Sequence, residues 1–220
     1  MAGNSEIREQ SEKPHVHNPR FARQYEKLSQ SRTERAIMEP LRRELVEQAY
    51  GVVLEIGAGT GLNFPFYLPE KVRQVEAIEP DATMLGYART RREQARVSLN
   101  LTQAPAEDIP FSDSFFDCVV ATLVFCSVRD PMRGFREIQR VLKPGGKLLL
   151  LEHVRAHNRL AAGIQDFLVP LTTRFCGNCH WNRETGQTVK FAGFQIQQER
   201  SQGGPFLPML LLQATSGGAI

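Results

Sequence analysis

Three glycines spaced two apart, Gly57, Gly59 and Gly61, follow the apolar run 52–56, and an acid, Glu55, stands two residues before the first of them. Glycine at such positions permits a tight turn and lets the backbone approach a ligand closely. The loop would hold a nucleotide-like group just past the end of a strand. A dinucleotide loop is spaced G-x-G-x-x-G, because its pyrophosphate sits on a helix N-terminus. Here the spacing is G-x-G-x-G. A carboxylate beside it suits a ligand with an ammonium group, such as the methionine part of S-adenosylmethionine, better than a pyrophosphate. The run by itself leaves both a nicotinamide dinucleotide and S-adenosylmethionine open. Glu79 ends the next apolar run, "VEAIEP", where an acid can accept hydrogen bonds from both hydroxyls of a ribose. Both ligands carry an adenosine ribose, so Glu79 does not separate them.

Further chemistry is offered by histidines and cysteines. His153 closes the apolar run 147–153 at the expected ligand edge of a sheet, and is the first candidate for orienting an acceptor or taking its proton. His180 is the second. Cys176 and Cys179 form C-x-x-C immediately before His180. A zinc site closed by protein would want a fourth ligand, and no second cysteine pair exists, so no metal is expected and the pair is read as structural or pocket-lining. Cys126 is expected to pack beside the cofactor loop rather than to react.

These groups need elements to place them. Residues 21–29 and 33–50 read as helices, the second with helical spacing of Ile37, Leu41, Leu45 and Val46 and a kink expected at Glu39-Pro40. Strands are expected at 52–56, 72–79, 97–103, 116–123 and 147–153, and helices at 82–94 and 131–142, with "KPGG" (143–146) as a turn. This alternation predicts an α/β fold: a doubly wound, mostly parallel sheet covered by helices on both faces. Beyond it lie a helix over 158–175 interrupted at Pro170, a helix over 184–192 ending at Gly193, and two strands, 194–200 and 208–215, joined closely enough to be antiparallel. Residues 1–17 are expected to be a flexible polar arm and 18–220 a single domain. Within it, 18–50 form a helical cap, 51–153 the cofactor-binding core, 154–183 an acceptor lid and 184–220 the final helix and strands.

Composition sets the outer limits. A chain of 220 residues with 41% hydrophobic content fits one large soluble domain. A formal charge of +3 is too small to argue for nucleic acid. Arg89, Arg91 and Arg92 read as a solvated helix face. No stretch has the roughly 18–20 apolar residues of a membrane span, and the first twenty residues lack the apolar core of a secretory signal. Four cysteines in a chain of this size do not make a disulfide scaffold, and the expected location is the cytoplasm.

With "QAPAEDIPFSDSFFDCVVAT", "ATLVFCSV" and "REIQRVLKPGGKLLLLEH" added to the glycine loop, the stretch 52–153 resembles the class I S-adenosylmethionine-dependent methyltransferases. The resemblance implies a seven-stranded sheet with an antiparallel last strand, and S-adenosylmethionine as cofactor. It places Glu55, Gly57, Ala58, Gly59 and Gly61 around the methionine part and sulfonium, and Glu79 on the ribose, with Pro80 and Met84 beside the adenine. Ala106 and Glu107 match the loop at the adenine edge, and Thr122, Leu123 and Val124 the segment near the sulfonium. Pro105 departs from an aspartate common in the family that contacts the adenine amine, so Glu107 or a backbone group must serve there. "GAGTGLNFPFY", "TLVFCSVRDP", "LLEHV" and "CHWNRET" further resemble the thiol S-methyltransferase group and its small bacterial relatives. The animal members of that group carry an N-terminal membrane anchor, and no such run is present here. The resemblance implies a small, hydrophobic thiol as acceptor, with phospholipid N-methylation, quinol C-methylation and a non-catalytic cofactor-binding scaffold as alternatives. Leu160, Ile164, Phe167, Leu168, Leu171 and Phe175 are expected either to make the lid greasy or to pack onto the sheet. Helix 21–29 is expected to cover the site, as N-terminal helices commonly do in this family.

Overall fold

A computed structural model of the chain describes residues 18–32 and 34–217, so the arm expected over 1–17 lies outside the described residues. Seven strands form one sheet: β1 (Gly51–Ile56), β2 (Val72–Ile78), β3 (Ser98–Thr102), β4 (Phe116–Thr122), β5 (Leu142–His153), β6 (Phe194–Gly204) and β7 (Leu207–Ser216), in the order β3-β2-β1-β4-β5-β7-β6. The first five run parallel, and β7 is antiparallel to both β5 and β6. This is the expected Rossmann-like methyltransferase architecture. The central strands are apolar on both faces because helices cover both faces. Leu54, Val119, Leu148 and Leu150 pack to one side of the sheet, and Val53, Val75, Val120 and Leu149 to the other.

The helices are α1 (Pro19–Ser29), α2 (Glu39–Val46), α3 (Ala82–Arg91), α4 (Pro131–Val141), α5 (Arg159–Phe175) and α6 (Thr185–Phe191). Caps fix several starts. Asn18, Asp81, Asp130 and Asn158 each accept a backbone N–H of the first turn, and prolines follow at the starts of α1 and α4. α4 then buries Phe135, Ile138 and Val141 at helical spacing. Among the described residues no helix is long and apolar enough to cross a membrane.

Three local expectations need correction. The helix expected over 33–50 is a π turn, Glu34–Met38, followed by α2, with Pro40 in the first turn of α2, where its missing N–H costs nothing. "KPGG" does not break the chain. It forms a bulge inside β5, where pairing jumps from Phe116↔Leu142 to Cys118↔Lys147 and Gly145 takes a φ of +74°. α5 runs through Pro170 without interruption, and the hydroxyls of Thr172 and Thr173 donate to the Val169 carbonyl beside it.

Candidate active site

Strand order reverses between β1 and β4, and ligands of doubly wound sheets bind in the crevice at that point. The glycine loop leaves β1 there. Gly57, Gly59 and Gly61 all have positive φ, at +64°, +55° and +85°, a region that side chains rarely adopt. A Cβ on Gly57 would lie 2.8 Å from Val124 Cγ1 and closer still to Cγ2, and one on Gly61 would meet the Phe64 ring. A Cβ on Gly59 would meet nothing nearer than the Gly57 carbonyl at 3.9 Å, because Gly59 faces open cavity.

That cavity measures about 1760 Å³, more than the roughly 300–1,000 Å³ of a single drug-sized site. It has room for a cofactor and an acceptor together. Of the residues expected to bind cofactor, Gly57, Ala58, Gly59, Glu79, Pro80, Met84, Ala106, Glu107, Thr122 and Leu123 line it. Glu55 and Gly61 do not. Glu55 stands behind the wall, 1% exposed, accepting from Asn63 Nδ2 (3.0 Å) and the Tyr67 hydroxyl (2.8 Å), while Asn63 itself lines the cavity. Burial pushes the Glu55 carboxyl up to about 7.

Glu79 is 5% exposed at the end of β2. Its oxygens accept from the backbone N–H of Gly59 and of Asp81, both at 2.9 Å, which ties the glycine loop to the neighbouring strand. Burial outweighs these bonds and pushes its carboxyl up to about 7 as well. Glu107 Oε1 accepts from the backbone N–H of Arg129 and Asp130, holding the start of α4 against the loop.

The sequence reading missed a chain of buried polar groups on the cavity wall. Arg42 of α2 is 3% exposed. It donates to Thr122 Oγ1 (2.7 Å), Asn63 Oδ1 (3.3 Å), Glu34 (3.0 Å) and the Tyr25 hydroxyl (3.2 Å). A lone arginine in a helical pattern gives no sign of this, because its partners lie up to 80 positions away.

Phe21 and Tyr25 of α1 lie on the cavity lining. The Asn18 N–H donates to Asp81 Oδ2 at 2.7 Å, and Arg91 donates to both oxygens of Glu26 and to the Thr60 carbonyl. Arg91 is thus a latch between α1, α3 and the glycine loop, a correction to its reading as part of a solvated face.

The opposite side of the cavity is built by the loop after β4. Leu123 holds a left-handed φ of +59°. The Glu152 carboxylate, 0% exposed, accepts from the backbone N–H of Val124, Phe125 and Cys126. From the other direction Arg183 donates to the carbonyls of Phe125 and Val128, the His180 N–H to the Cys126 carbonyl (2.7 Å), and Asn178 Nδ2 to the Ser127 carbonyl (2.8 Å).

This frame brings the Cys126 and Cys179 thiols and the His153 imidazole within 4.8 Å of one another. Cys176 is exposed and outside the cluster, so C-x-x-C does not act as one unit. The His180 ring contacts Asn178 at 3.3 Å and does not line the cavity. His153, Cys126 and Cys179 do not line it either; their chain neighbours Val124, Ser127, Gly177 and Asn178 do. The nearby Cys179 thiol and burial hold the Cys126 thiol well above its ordinary range.

α5 corrects both readings for five of its six apolar residues, Leu168 alone being half-buried. Leu160, Ile164, Phe167, Leu171 and Phe175 form an outward stripe, Phe167 being 82% exposed, and none lines the cavity. The buried face of α5 is Ala161, Ala162 and Gln165, small enough for close approach, and Gln165 bonds the backbone of Ala156 and Val154. Thr173, Gly177 and Asn178, not the apolar residues, reach the cavity from this segment.

Residues 54–150 match the model of a methyltransferase domain. The chain is 34% identical over 181 residues to the rat (Rattus norvegicus) thiol S-methyltransferase TMT1B, covering 77% of this chain and 73% of that one. The chain belongs to the class I S-adenosylmethionine-dependent methyltransferases. A ubiquinone/menaquinone biosynthesis C-methyltransferase of Cellvibrio japonicus is 39% identical over 118 residues, 52% of this methyltransferase and 47% of the other. The solved structure of a methyltransferase from Thermotoga maritima, described as a possible histamine N-methyltransferase, superposes with a TM-score of 0.68 at 22% identity, covering 90% and 97% of the two chains. At that identity the likeness concerns the fold. The methyltransferase's own geometry suits the cofactor its family uses: an open space above Gly59, an acid at the end of β2, and room in the same cavity for a second molecule.

Proposed function

We propose that this methyltransferase binds S-adenosylmethionine at the β1/β4 crevice and methylates a small thiol of apolar character. The extent of the likeness to a thiol S-methyltransferase supports the acceptor: about three quarters of each chain aligns, against about half for the quinone C-methyltransferase. When bound, S-adenosylmethionine supplies a methyl group on a sulfonium, already activated for displacement.

The protein's task is then to bind, align and exclude water. Glu79 would accept from the ribose hydroxyls, and the Gly57–Gly59 backbone would hold the methionine part, with Asn63 backed by Glu55. Pro80 and Met84 would serve the adenine, with Ala106 and Glu107 at its edge, and Thr122 and Leu123 would serve the sulfonium. Arg42 holds Thr122 and Asn63 in place and closes the wall beneath α1. On the acceptor side the lining groups include Tyr25, Val124, Ser127, Thr173 and Asn178. A thiol suits such a chamber, since its ordinary pKa of about 8.5 already gives some thiolate near neutrality.

The acceptor is tested by initial rates over a series of alkyl and aryl thiols, matched alcohols, amines, quinols and phospholipid head groups. Turnover is expected on thiols and not on the alcohols. Clear turnover on a quinol, amine or phospholipid with none on any thiol would overturn the thiol while leaving methyl transfer in place.

Glu79→Ala is expected to lower affinity for S-adenosylhomocysteine tenfold or more, since a hydrogen bond to a charged group is worth roughly 1.5–3 kcal/mol. Unchanged affinity by calorimetry would remove Glu79 from the ribose.

A pH dependence follows from the same residue. In the free protein burial raises the Glu79 carboxyl to about 7, which favours its neutral form. Ribose hydroxyls donating to it favour the carboxylate, so its pKa falls on binding and a proton is released. Affinity for S-adenosylhomocysteine should therefore rise with pH up to about 7 and level off above it, with a limiting slope of up to tenfold per unit. Calorimetry in buffers of different ionisation enthalpy reads the released proton, and Glu79→Gln should abolish it. An equal proton release in Glu79→Gln would assign the effect to another group.

A further inference from the structure

Cys126, His153 and Cys179 come from three separate segments: the loop after β4, the last residue of β5, and the loop after α5. Two sulfurs and an imidazole nitrogen lie within 4.8 Å of one another. Zinc bonds of about 2.3 Å to sulfur and 2.0–2.1 Å to nitrogen set ligand atoms roughly 3.5–3.8 Å apart in a tetrahedron. The cluster needs to close by roughly 1.3 Å at most to match. We propose that Cys126, His153 and Cys179 are the three protein ligands of a thiophilic divalent cation, zinc by preference, whose fourth position opens toward the acceptor chamber.

The donor set selects the ion. Thiolate and imidazole together favour zinc over magnesium or calcium, which take oxygen ligands. Three protein ligands rather than four is the pattern of a reactive zinc site, and structural sites close all four positions. The surroundings are built to hold the ligands. The backbone that carries Cys126 is gripped by the buried Glu152 carboxylate from one side and by Arg183, His180 and Asn178 from the other. His153 follows Glu152 directly on β5, so one strand end supplies both the grip and a ligand. Val124, Ser127, Gly177 and Asn178, which flank the two cysteines, line the cavity. The three ligands themselves stand just behind this lining, so a molecule in the chamber would reach the fourth position past these residues.

This cation would act on the acceptor, a step that rests on the thiol reading above. A thiol sulfur entering the fourth position forms a bond to the cation. Its S–H bond breaks with the electron pair staying on sulfur, and the proton leaves to solvent. No oxidant or reductant is involved. The sulfur is then held as thiolate beside the loop that passes the cofactor.

Cobalt(II) provides a readout independent of turnover. The reduced full-length protein, stripped with chelator and titrated with Co²⁺, should bind one ion per chain and develop an intense sulfur-to-cobalt charge-transfer absorption. Cys126→Ser, His153→Ala and Cys179→Ser should each weaken binding tenfold or more, and Cys176→Ser should not. Cys179 lies in a partly exposed loop, so Cys179→Ser keeps the test decisive if Cys126→Ser fails to fold, with circular dichroism confirming the fold. No charge-transfer band in the wild type, or a band lost in Cys176→Ser and kept in Cys179→Ser, would overturn the site. Adding a thiol substrate should shift the band, and an unshifted band would overturn the open fourth position. Thiol turnover by cation-free protein with a silent cobalt spectrum would overturn the cation and leave the thiol reading standing. A cobalt spectrum with no turnover on any thiol would do the reverse.

Discussion

Glu152→Ala is expected to leave a protein that unfolds far below the wild-type temperature, with a loss of about 3 kcal/mol or more. The carboxylate is completely buried, and three backbone N–H groups in succession depend on it. Removing it leaves three backbone donors without an acceptor, two of them buried and each worth roughly 1–3 kcal/mol, in a class of molecule whose whole stability is about 5–15 kcal/mol. Glu152→Gln should fall between the two, because the amide oxygen can still accept the pair now shared by Oε1, while its NH₂ faces the Cys126 N–H. Thermal unfolding followed by circular dichroism reads the order wild type, glutamine, alanine. A melting temperature for Glu152→Ala within a degree or two of wild type would show that the loop after β4 does not need this support.

Gly57→Ala should reduce affinity for S-adenosylhomocysteine by at least about a hundredfold, or 2.7 kcal/mol at 1.36 kcal/mol per tenfold. Two penalties combine. A left-handed backbone costs a residue with a Cβ roughly 1–2 kcal/mol, and the new methyl overlaps Val124, which is seated on the loop gripped by Glu152. The collision transmits the change from the glycine loop to the segment across the crevice. Gly57→Ala with Val124→Ala should recover part of the loss, and the double-mutant cycle should show coupling beyond simple additivity. Independent effects of the two substitutions would mean that the loops do not press on each other. Gly59→Ala carries the same left-handed cost of roughly 1–2 kcal/mol but overlaps no neighbour, so it should destabilise the empty protein by no more than that and still block the ligand, because its Cβ would project into the cavity alone.

The fold was legible because its signals are local. The run 52–56, the acid at Glu79, the proline-started α4 and the apolar β5 each announce themselves within a few residues, and their alternation leaves few topologies open. The cofactor side was legible for the same reason, since a loop leaving a strand is fixed by that strand. Glu55 was read from its spacing as part of the cofactor loop's surroundings, and the structure adds that it stands in β1 behind the wall, where Asn63 and Tyr67 bond it: spacing tells where a side chain begins, and only packing tells what it meets. The acceptor side was read least well. Arg42, Glu152 and Arg183 act through partners on other elements, and the C-x-x-C pattern drew the two adjacent cysteines together when the fold joins one of them to Cys126 instead. α5 misled because apolar spacing marks a helical face without saying which way it looks. Its outward stripe shows that small residues, Ala161 and Ala162, decided how the helix sits.

The place of β7 in the sheet has a bearing on biosynthesis. β7 lies between β5 and β6 and pairs with both, while β6 touches the sheet only through β7. As the chain leaves the ribosome, the parallel strands up to β5 can assemble, but the outer edge of β5 stays bare until residues 207–216 have emerged. Leu148 to Leu151 then offer unpaired backbone in an apolar strand, the sort of edge that recruits other chains. Synthesis pauses before β7, or translation halted there, would leave this nascent methyltransferase at its most adhesive. Demand for chaperones should concentrate in the interval between the completion of β5 and the arrival of the final hairpin.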